Sequence, residues 1–212
     1  MRIQSWNCRG AGRAPTVIAV KGLVHRESPD IIFISESKAK SPRVEKIKEC
    51  LKLRECFYVN AENKLDVWLL LLVYRPPKVA HKEVIWDLVT ILTTTFLGPW
   101  MLLGNCNSYS SNSDECGGSS RGNYSSKPFR NFLSNTGAIE LRFQGPQYTW
   151  VGRRSGGVHV GIRLDQGCCN QEWQEMFTNT RIKHLVAPTS DHKPILLDTH
   201  FENNNINKPF HF

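Results

Sequence analysis

Short apolar runs that stop at polar or turn-forming residues recur along the chain. The alternating residues 2–7 predict a strand with one buried face, and the wholly apolar residues 31–34 predict a strand buried on both faces. A leucine-rich run at 67–73 ends in Tyr-Arg-Pro-Pro, which suits a buried strand because proline cannot continue a hydrogen-bond ladder. Altogether the pattern predicts strands at residues 2–7, 31–34, 57–59, 67–73, 99–104, 148–150, 158–164 and 195–198.

Helices are predicted where apolar residues recur every three or four positions. Pro15 suits a first helical turn and precedes an apolar stripe that reaches about His25. Residues 81–96 repeat the spacing, and the predicted buried stripe is Val84, Ile85, Leu88, Ile91, Leu92 and Phe96, with Trp86 beside it. Two shorter helices are predicted at residues 42–54, which is basic, and at residues 129–135, which Gly137 ends.

Polar residues follow several of these strands directly. The strand at 99–104 runs into Gly104-Asn105-Cys106-Asn107. In extended chain, residues i and i+2 face the same side, so Asn105 and Asn107 would reach one site together. The alternative is a plain turn, because Gly and Asn are turn formers. Glu36 follows the strand at 31–34, which makes it a metal-ligand candidate or, equally, a surface glutamate at a strand end.

Four further residues carry similar groups. The first strand delivers Asn7 to its end, and Tyr74 closes the leucine-rich run at the same rim. Asp191 and His192 stand in a Ser-Asp-His-x-Pro turn just before the strand at 195–198. A carboxylate and an imidazole placed in such a turn can contact one ligand. A lone histidine is more often structural, so the whole turn is the signal.

The chain has 212 residues, 40% of them hydrophobic, which is enough for the core of a single domain. No apolar run is long enough to span a bilayer, and the N-terminus predicts a strand rather than a signal peptide. We therefore expect an intracellular protein, nuclear or cytoplasmic and not secreted. One domain is expected over residues 1–200, with a polar tail at 201–212 that is expected to be disordered.

Seven cysteines occur in the chain, an odd number, and none form a Cys-x-x-Cys pair. Cys168 and Cys169 are adjacent in sequence. A disulfide framework or a structural zinc site needs regular spacing that is absent here, so the thiols are expected to be reduced.

The net charge of +8 is unevenly distributed. Residues 1–60 contain 12 Lys and Arg against 6 Asp and Glu, whereas residues 161–212 contain 5 against 6. A basic N-terminal region favours a polyanionic partner such as nucleic acid. The alternative is a lysine-rich helix face that only contacts water.

Five fragments in this order resemble the endonuclease/exonuclease/phosphatase superfamily: Trp6-Asn7, Glu36, Tyr74-x-Pro76, Gly104-x-x-Asn107 and Ser190-Asp191-His192-x-Pro194. Four local motifs look like the endonuclease domain of plant LINE-type non-LTR retrotransposons: Ser5-Trp6-Asn7-Cys8-Arg9-Gly10, Tyr148-Thr149-Trp150, Arg163-Leu164-Asp165 and Trp173-x-x-x-Phe177. The resemblance implies an α/β fold of the DNase I type, a four-layer sandwich with two mixed sheets flanked by helices. It also implies an active site where strand ends meet.

The resemblance assigns roles to individual residues. Glu36, helped by Asn7, would bind Mg²⁺, a hard cation that prefers oxygen ligands. The predicted catalytic groups are His192, oriented by Asp165, then Asp191 on the metal side, and Tyr74 and Asn107, which would position the phosphate. Arg153 and Arg154 would bind the DNA phosphate backbone.

The chain departs from the family pattern at three places, the smallest of which is Gln166, where the LINE-type motif usually has a second arginine. Asn105 stands where the family has an aspartate that orients or deprotonates the attacking water, and an amide has no basic oxygen at neutral pH. Between Tyr58 and Val67 the family has a further strand and hairpin, and this chain has a few polar residues instead. Missing strands would expose a sheet edge. The chain therefore resembles an altered copy of a working enzyme.

Four functions follow as alternatives. The first is a monomeric, Mg²⁺-dependent phosphodiesterase that nicks DNA, weakened by Asn105. The second is an inactive nucleic-acid-binding remnant, and the third is a retroelement remnant without a selected role. The fourth is a phosphatase of the same superfamily acting on a phosphoinositide or another phosphomonoester.

Overall fold

A computed structural model of the chain describes residues 1–10, 14–36, 68–75, 82–117, 126–153, 157–187 and 189–201. The strands of these residues are β1 (Arg2–Asn7), β2 (Ile31–Ser35), β3 (Leu69–Tyr74), β4 (Trp100–Asn105), β5 (Glu115–Cys116), β6 (Ile139–Glu140), β7 (Phe143–Gln144), β8 (Trp150–Arg153), β9 (His159–Ile162), β10 (Asp165–Cys169), β11 (Arg181–His184) and β12 (Ile195–Asp198). The α-helices are α1 (Ala14–Glu27), α2 (Lys82–Thr95), α3 (Lys127–Thr136) and α4 (Gln171–Met176).

The first mixed sheet has five strands in the order β2-β1-β12-β11-β7. Strand β1 runs parallel to β2, with Asn7 opposite Ser35, and antiparallel to β12, with Ser5 opposite Ile195. The carboxyl ends of β1 and β2 therefore lie at the same edge as the amino end of β12. That edge receives the Asp191-His192 turn and Glu36.

The second mixed sheet has four strands in the order β3-β4-β10-β6. Strand β3 is parallel to β4 and β10 is antiparallel to it. In this register Tyr74 is opposite Asn105, and Asn105 is opposite Asp165. Residues that pair across neighbouring strands point to the same face, so three chemically active side chains stand in one row.

The two sheets pack face to face with helices outside them. Their inner faces share one core, to which Ile3 and Leu197 contribute from one sheet and Met101 and Leu103 from the other. Helix α1 covers the outer face of the five-stranded sheet, and helices α2 and α3 cover the outer face of the four-stranded sheet. This arrangement confirms the predicted four-layer α/β sandwich with two mixed sheets. The described residues also form a small antiparallel sheet, β5-β9-β8, which was not predicted.

Helix α2 agrees with the predicted position but not with the predicted face. Trp86 is buried because its ring packs on the rings of Phe129 and Phe132 of α3, with centroids 4.8 and 5.2 Å away. This aromatic cluster sets the rotation of the helix. Leu88 and Ile91 are consequently 55% and 57% exposed, and Val84 and Leu92 are exposed as well.

The predicted strand at 158–164 was too long. Strand β9 ends at Ile162, and Asp165 begins a separate strand, β10. The sequence of β10, Asp-Gln-Gly-Cys-Cys, lacks β-branched or aromatic residues, so its pairing with β4 and β6 depends on tertiary context. A Cβ at Gly167 would lie 2.6 Å from Cδ1 of Ile182, so a larger residue there would require that side chain to shift.

Several predictions fall outside the described residues. These are the helix at 42–54, the strand at 57–59, the altered segment between Tyr58 and Val67, and the tail beyond Phe201. Within the described part of the chain, no helix is long and apolar enough to cross a membrane. The described cysteines are free thiols, and burial raises the pKa of Cys106 and Cys168, so both stay protonated at neutral pH.

Candidate active site

Glu36 joins the two sheets at the edge where their strands end. Its Oε1 accepts a hydrogen bond from Nδ2 of Asn7 and another from the hydroxyl of Tyr74, both at 2.9 Å. Burial, the hydrogen bond to Glu36 and the charge of Glu36 raise the pKa of Tyr74 to about 12, while the charge of Arg9 opposes this shift. Tyr74 is therefore a protonated donor throughout the neutral range.

Asn105, Asp165 and His192 form a buried triangle in the same pocket. Nδ2 of Asn105 lies 2.9 Å from Oδ1 of Asp165 and 2.9 Å from Nδ1 of His192, and that Nδ1 lies 3.0 Å from Oδ2 of Asp165. An imidazole nitrogen has either a hydrogen or a lone pair, so Nδ1 cannot both donate to Asp165 and accept from Asn105. The carboxylate is the stronger partner, which leaves Nδ1 as donor to Asp165 and directs Nε2 away from it.

Asn107 joins this triangle through a turn and not through extended chain. Its φ of 44° shows that the strand geometry ends at Asn105, yet its Nδ2 donates to Oδ1 of Asn105 and to the carbonyl of Arg75, both at 2.5 Å. Both hydrogens of that amide are therefore used within the protein. To donate to a phosphate oxygen, Asn107 would have to give up one of these bonds.

The turn that contains Asp191 and His192 is tied to β1. Nε1 of Trp6 donates to the carbonyl of His192 at 3.0 Å, and Oγ of Ser190 donates to the carbonyl of Asn7 at 2.9 Å. Thr149 fixes the opposite wall, since its Oγ1 accepts from the backbone N–H of Asp165 at 2.9 Å. These contacts hold the triangle against Asn7 and Glu36.

Three neighbours of the site were missed from the sequence. Arg75 is fully buried, and its guanidinium donates to the carbonyls of Cys106 and Asn107, which fixes the turn after β4. Nη1 of Arg9 and Nε1 of Trp150 donate to Oδ2 of Asp191, at 2.5 and 2.8 Å. Arg75 follows a buried strand directly, which was an available signal. Arg9 and Trp150 stand in two of the motifs quoted above, but neither was given a role, because their partner Asp191 is distant in sequence.

Backbone strain is concentrated in the same pocket. Among the described residues that are not glycine, Arg9, Glu36 and Asn107 have φ values of 45°, 50° and 44°, and the fourth residue with positive φ, Ser28, lies elsewhere. Such conformations cost energy and tend to occur where function fixes them. They support the choice of this edge as the functional site.

The structure thus brings together eight of the predicted site residues: Asn7, Glu36, Tyr74, Asn105, Asn107, Asp165, Asp191 and His192. Arg153 is exposed near the end of β8, three residues or roughly 10 Å along that strand from Trp150. Arg153 therefore lies at the periphery of the pocket. Arg154 is outside the described residues.

The oxygen atoms of the pocket fit a Mg²⁺ ion. No three His, Cys, Asp or Glu side chains of the described residues converge into a metal-binding group. Mg²⁺ does not require such a group, because it is usually held by one or two carboxylates with waters and substrate phosphate. Glu36 supplies a carboxylate and Asn7 an amide oxygen. Oδ1 of Asp191 is buried without a hydrogen-bond partner, an arrangement that a nearby cation would relieve.

No protein-family model and no curated protein matches the sequence. Solved structures do match. One is a 3′ phosphatase from Neisseria, in a variant with asparagine in place of an aspartate and bound to a product DNA hairpin. It has 17% identity and a TM-score of 0.63, and the match covers 93% of this chain and 98% of that chain. An AP endonuclease from Archaeoglobus fulgidus has 14% identity and a TM-score of 0.67, with 93% and 98% covered.

A third match is the endonuclease domain of TRAS1, a telomere-specific non-LTR retrotransposon. It has 15% identity and a TM-score of 0.59, with 93% of this chain and 97% of that chain covered. These likenesses extend over nearly the whole chain and confirm the DNase I-like fold that the sequence fragments predict.

Proposed function

We propose that this chain is a DNA endonuclease-type phosphodiesterase domain of retrotransposon origin whose hydrolytic step is impaired by Asn105. One observation carries the proposal: an amide occupies the centre of the pocket, 2.9 Å from both Asp165 and His192. The surrounding groups are those of a phosphate-handling site. The central group has no basic oxygen.

Each side chain has a definite task in this proposal. Glu36 and Asn7 would hold Mg²⁺, which when bound offsets charge on the phosphate and the leaving oxygen. Asp165 fixes the imidazole of His192 through Nδ1, and Nε2 would then be directed towards a phosphate oxygen of the substrate. Tyr74 stays protonated and keeps the carboxylate of Glu36 in place.

The impairment follows from the loss of a proton acceptor. Nδ2 of Asn105 donates to Oδ1 of Asp165, and its Oδ1 accepts from Asn107. Neither atom can accept a proton from water at neutral pH. A general base contributes roughly 10²–10⁴-fold to a hydrolysis rate, so nicking by the native chain is expected to be negligible.

DNA is the proposed partner for two reasons. The net charge of +8 favours a polyanion, and the similar Neisseria structure holds a DNA hairpin although an aspartate is replaced by asparagine. An amide in such a fold is thus compatible with binding. Arg153 and Arg154 would add sequence-independent contacts to the DNA backbone.

The test is relaxation of supercoiled plasmid with Mg²⁺ by the native chain and by Asn105→Asp. We expect no nicking by the native chain and Mg²⁺-dependent nicking by Asn105→Asp that is lost in Asn105→Asp/His192→Ala. Clear nicking by the native chain would contradict the impairment.

The second candidate is an inactive DNA-binding domain, which the amide at position 105 favours directly. DNA binding by a folded but inactive Asn105→Asp would leave only this candidate. A hairpin with a 3′-phosphate should be included as substrate, since release of phosphate without nicking would identify a phosphatase instead.

A further inference from the structure

Arg9 enters the pocket immediately after β1. Its backbone N–H lies 3.3 Å from Oδ1 of Asn7, and its Nη1 lies 2.5 Å from Oδ2 of Asp191. The side chain is still 43% exposed. Arg9 therefore stands at the mouth of the pocket, between Asn7 and Asp191, and in contact with solvent.

The backbone of Arg9 has an uncommon conformation. Its φ of 45° is in the left-handed region, which a residue with a Cβ rarely adopts, and Gly10 follows with a φ of 132°. Glu36 and Asn107 share this feature.

The positive charge of Arg9 offsets part of the negative charge in the pocket. Glu36, Asp165 and Asp191 are carboxylates, so an approaching phosphate is repelled unless cations offset them. The guanidinium lies against Asp191, and its charge reaches Tyr74, where it partly opposes the rise in pKa that burial and Glu36 cause. A guanidinium has five N–H donors in a planar fork, and the contact with Asp191 uses Nη1. The other edge can bind two oxygens of one phosphate.

We propose that Arg9 is a phosphate-binding residue of this pocket, positioned by Asp191, and that it holds a phosphate group without a divalent metal. The inference rests on the proposed function only in taking phosphate as the ligand. The phosphate belongs either to the DNA backbone or to a free phosphate ester. Lysine would replace Arg9 incompletely, because an ammonium group lacks the planar fork.

The first measurement is the affinity of a fluorescein-labelled DNA hairpin in excess EDTA, read by fluorescence anisotropy. Arg9→Gln should weaken binding by about tenfold or more, the effect of losing hydrogen bonds to a charged group, and Arg9→Lys should lie between it and the native chain. Arg26→Gln is the charge-matched control. Arg26 is next to the last residue of α1, Glu27, whose carbonyl accepts a hydrogen bond from Arg2 at the start of β1. The start of β1 is roughly 16 Å from Asn7 at its other end.

Arg26→Gln should change the affinity by less than about twofold. Equal weakening by Arg9→Gln and Arg26→Gln would overturn the proposal, since it would reflect net charge alone. The dependence of affinity on salt concentration adds a second criterion, because loss of one phosphate contact lowers its slope by about one.

NMR of the arginine Nε–H groups is the second measurement and needs no disabling variant. The signal that disappears in Arg9→Lys should shift when inorganic phosphate is added in EDTA, and an unmoved signal would overturn the proposal. A shift together with unchanged DNA affinity in Arg9→Gln would support phosphate binding and assign it to a free ester. An inactive Asn105→Asp with Arg9-dependent binding would refute the proposed nuclease and leave this inference standing.

Discussion

Asn105→Asp is predicted to destabilise the fold while it restores a proton acceptor. In the native chain Nδ2 of Asn105 donates to Oδ1 of Asp165 at 2.9 Å, and both side chains are almost completely buried. The substitution replaces that donor with an oxygen. Two carboxylates would then face each other inside the protein, and Asp165 would lose its amide partner.

The magnitude follows from the bond that is lost. A hydrogen bond to a charged group contributes roughly 1.5–3 kcal/mol, so the free energy of unfolding should fall by at least this amount at neutral pH. Like-charge contact adds to the loss. A domain that is stable by only about 5–15 kcal/mol would show the change clearly in a urea titration.

The loss should depend on pH with a definite sign. Burial and the neighbouring carboxylate raise the folded-state pKa of the introduced carboxyl above its unfolded value. A group with a raised folded pKa binds more protons in the folded state, so the variant loses stability as pH rises through that pKa. The difference from the native chain should therefore be smallest in acid and largest at neutral pH.

The assay is urea unfolding followed by tryptophan fluorescence at several pH values. The matched control is the swap Asn105→Asp/Asp165→Asn, which restores one amide and one carboxylate in contact and should recover most of the lost stability. A single variant as stable as the native chain at neutral pH would refute the assignment of the Asn105 amide as donor to Asp165. Failure of the swap alone would show that Asp165 acts mainly through His192.

Two further outcomes test other parts of the structure. The stability of the native chain should fall as pH rises from the ordinary tyrosine pKa of about 10 towards the folded-state pKa of Tyr74, about 12. Tyr74→Phe cannot ionise, so alkaline urea titrations of this variant should lack that part of the fall. Gly104→Ala should prevent folding, because φ is 149° and a Cβ would lie 2.0 Å from the carbonyl oxygen of Val73. The control is Gly22→Ala in α1, where a Cβ meets nothing within 4 Å. Thermal melts should show that this control stabilises the fold by about 0.5–1 kcal/mol.

Strand ends could be predicted from the sequence because each strand near the site is a short apolar run that stops at a polar residue. Strands β1, β2, β3, β4 and β12 were all found in this way. The polar ends of β1 and β2, and those of β3 and β4, lie together because parallel strands place equivalent ends at one edge of a sheet. Local pattern therefore sufficed to group Asn7, Glu36, Tyr74 and Asn105.

The remaining features depend on partners that local pattern does not contain. Strand β10 has no apolar alternation and is recognised only by its pairing with β4. The rotation of α2 follows from the packing of Trp86 on two rings of α3, which outweighs a longer stripe of aliphatic residues. Arg9 contacts a residue 182 positions away. Such contacts are set by the tertiary fold, so spacing along the chain gave no sign of them.

Position 105 also shows how the fold can be kept when the residue needed for hydrolysis is absent. Asparagine and aspartate have nearly the same shape, so the row Tyr74-Asn105-Asp165 packs equally well with either. Beside a buried Asp165, the amide is the electrostatically easier choice, because it donates where a second carboxylate would repel. In the proposed function, hydrolysis needs that second carboxylate for proton transfer, whereas the fold does not. Where proton transfer is not required, the physics of this pocket therefore favours the residue that the chain has.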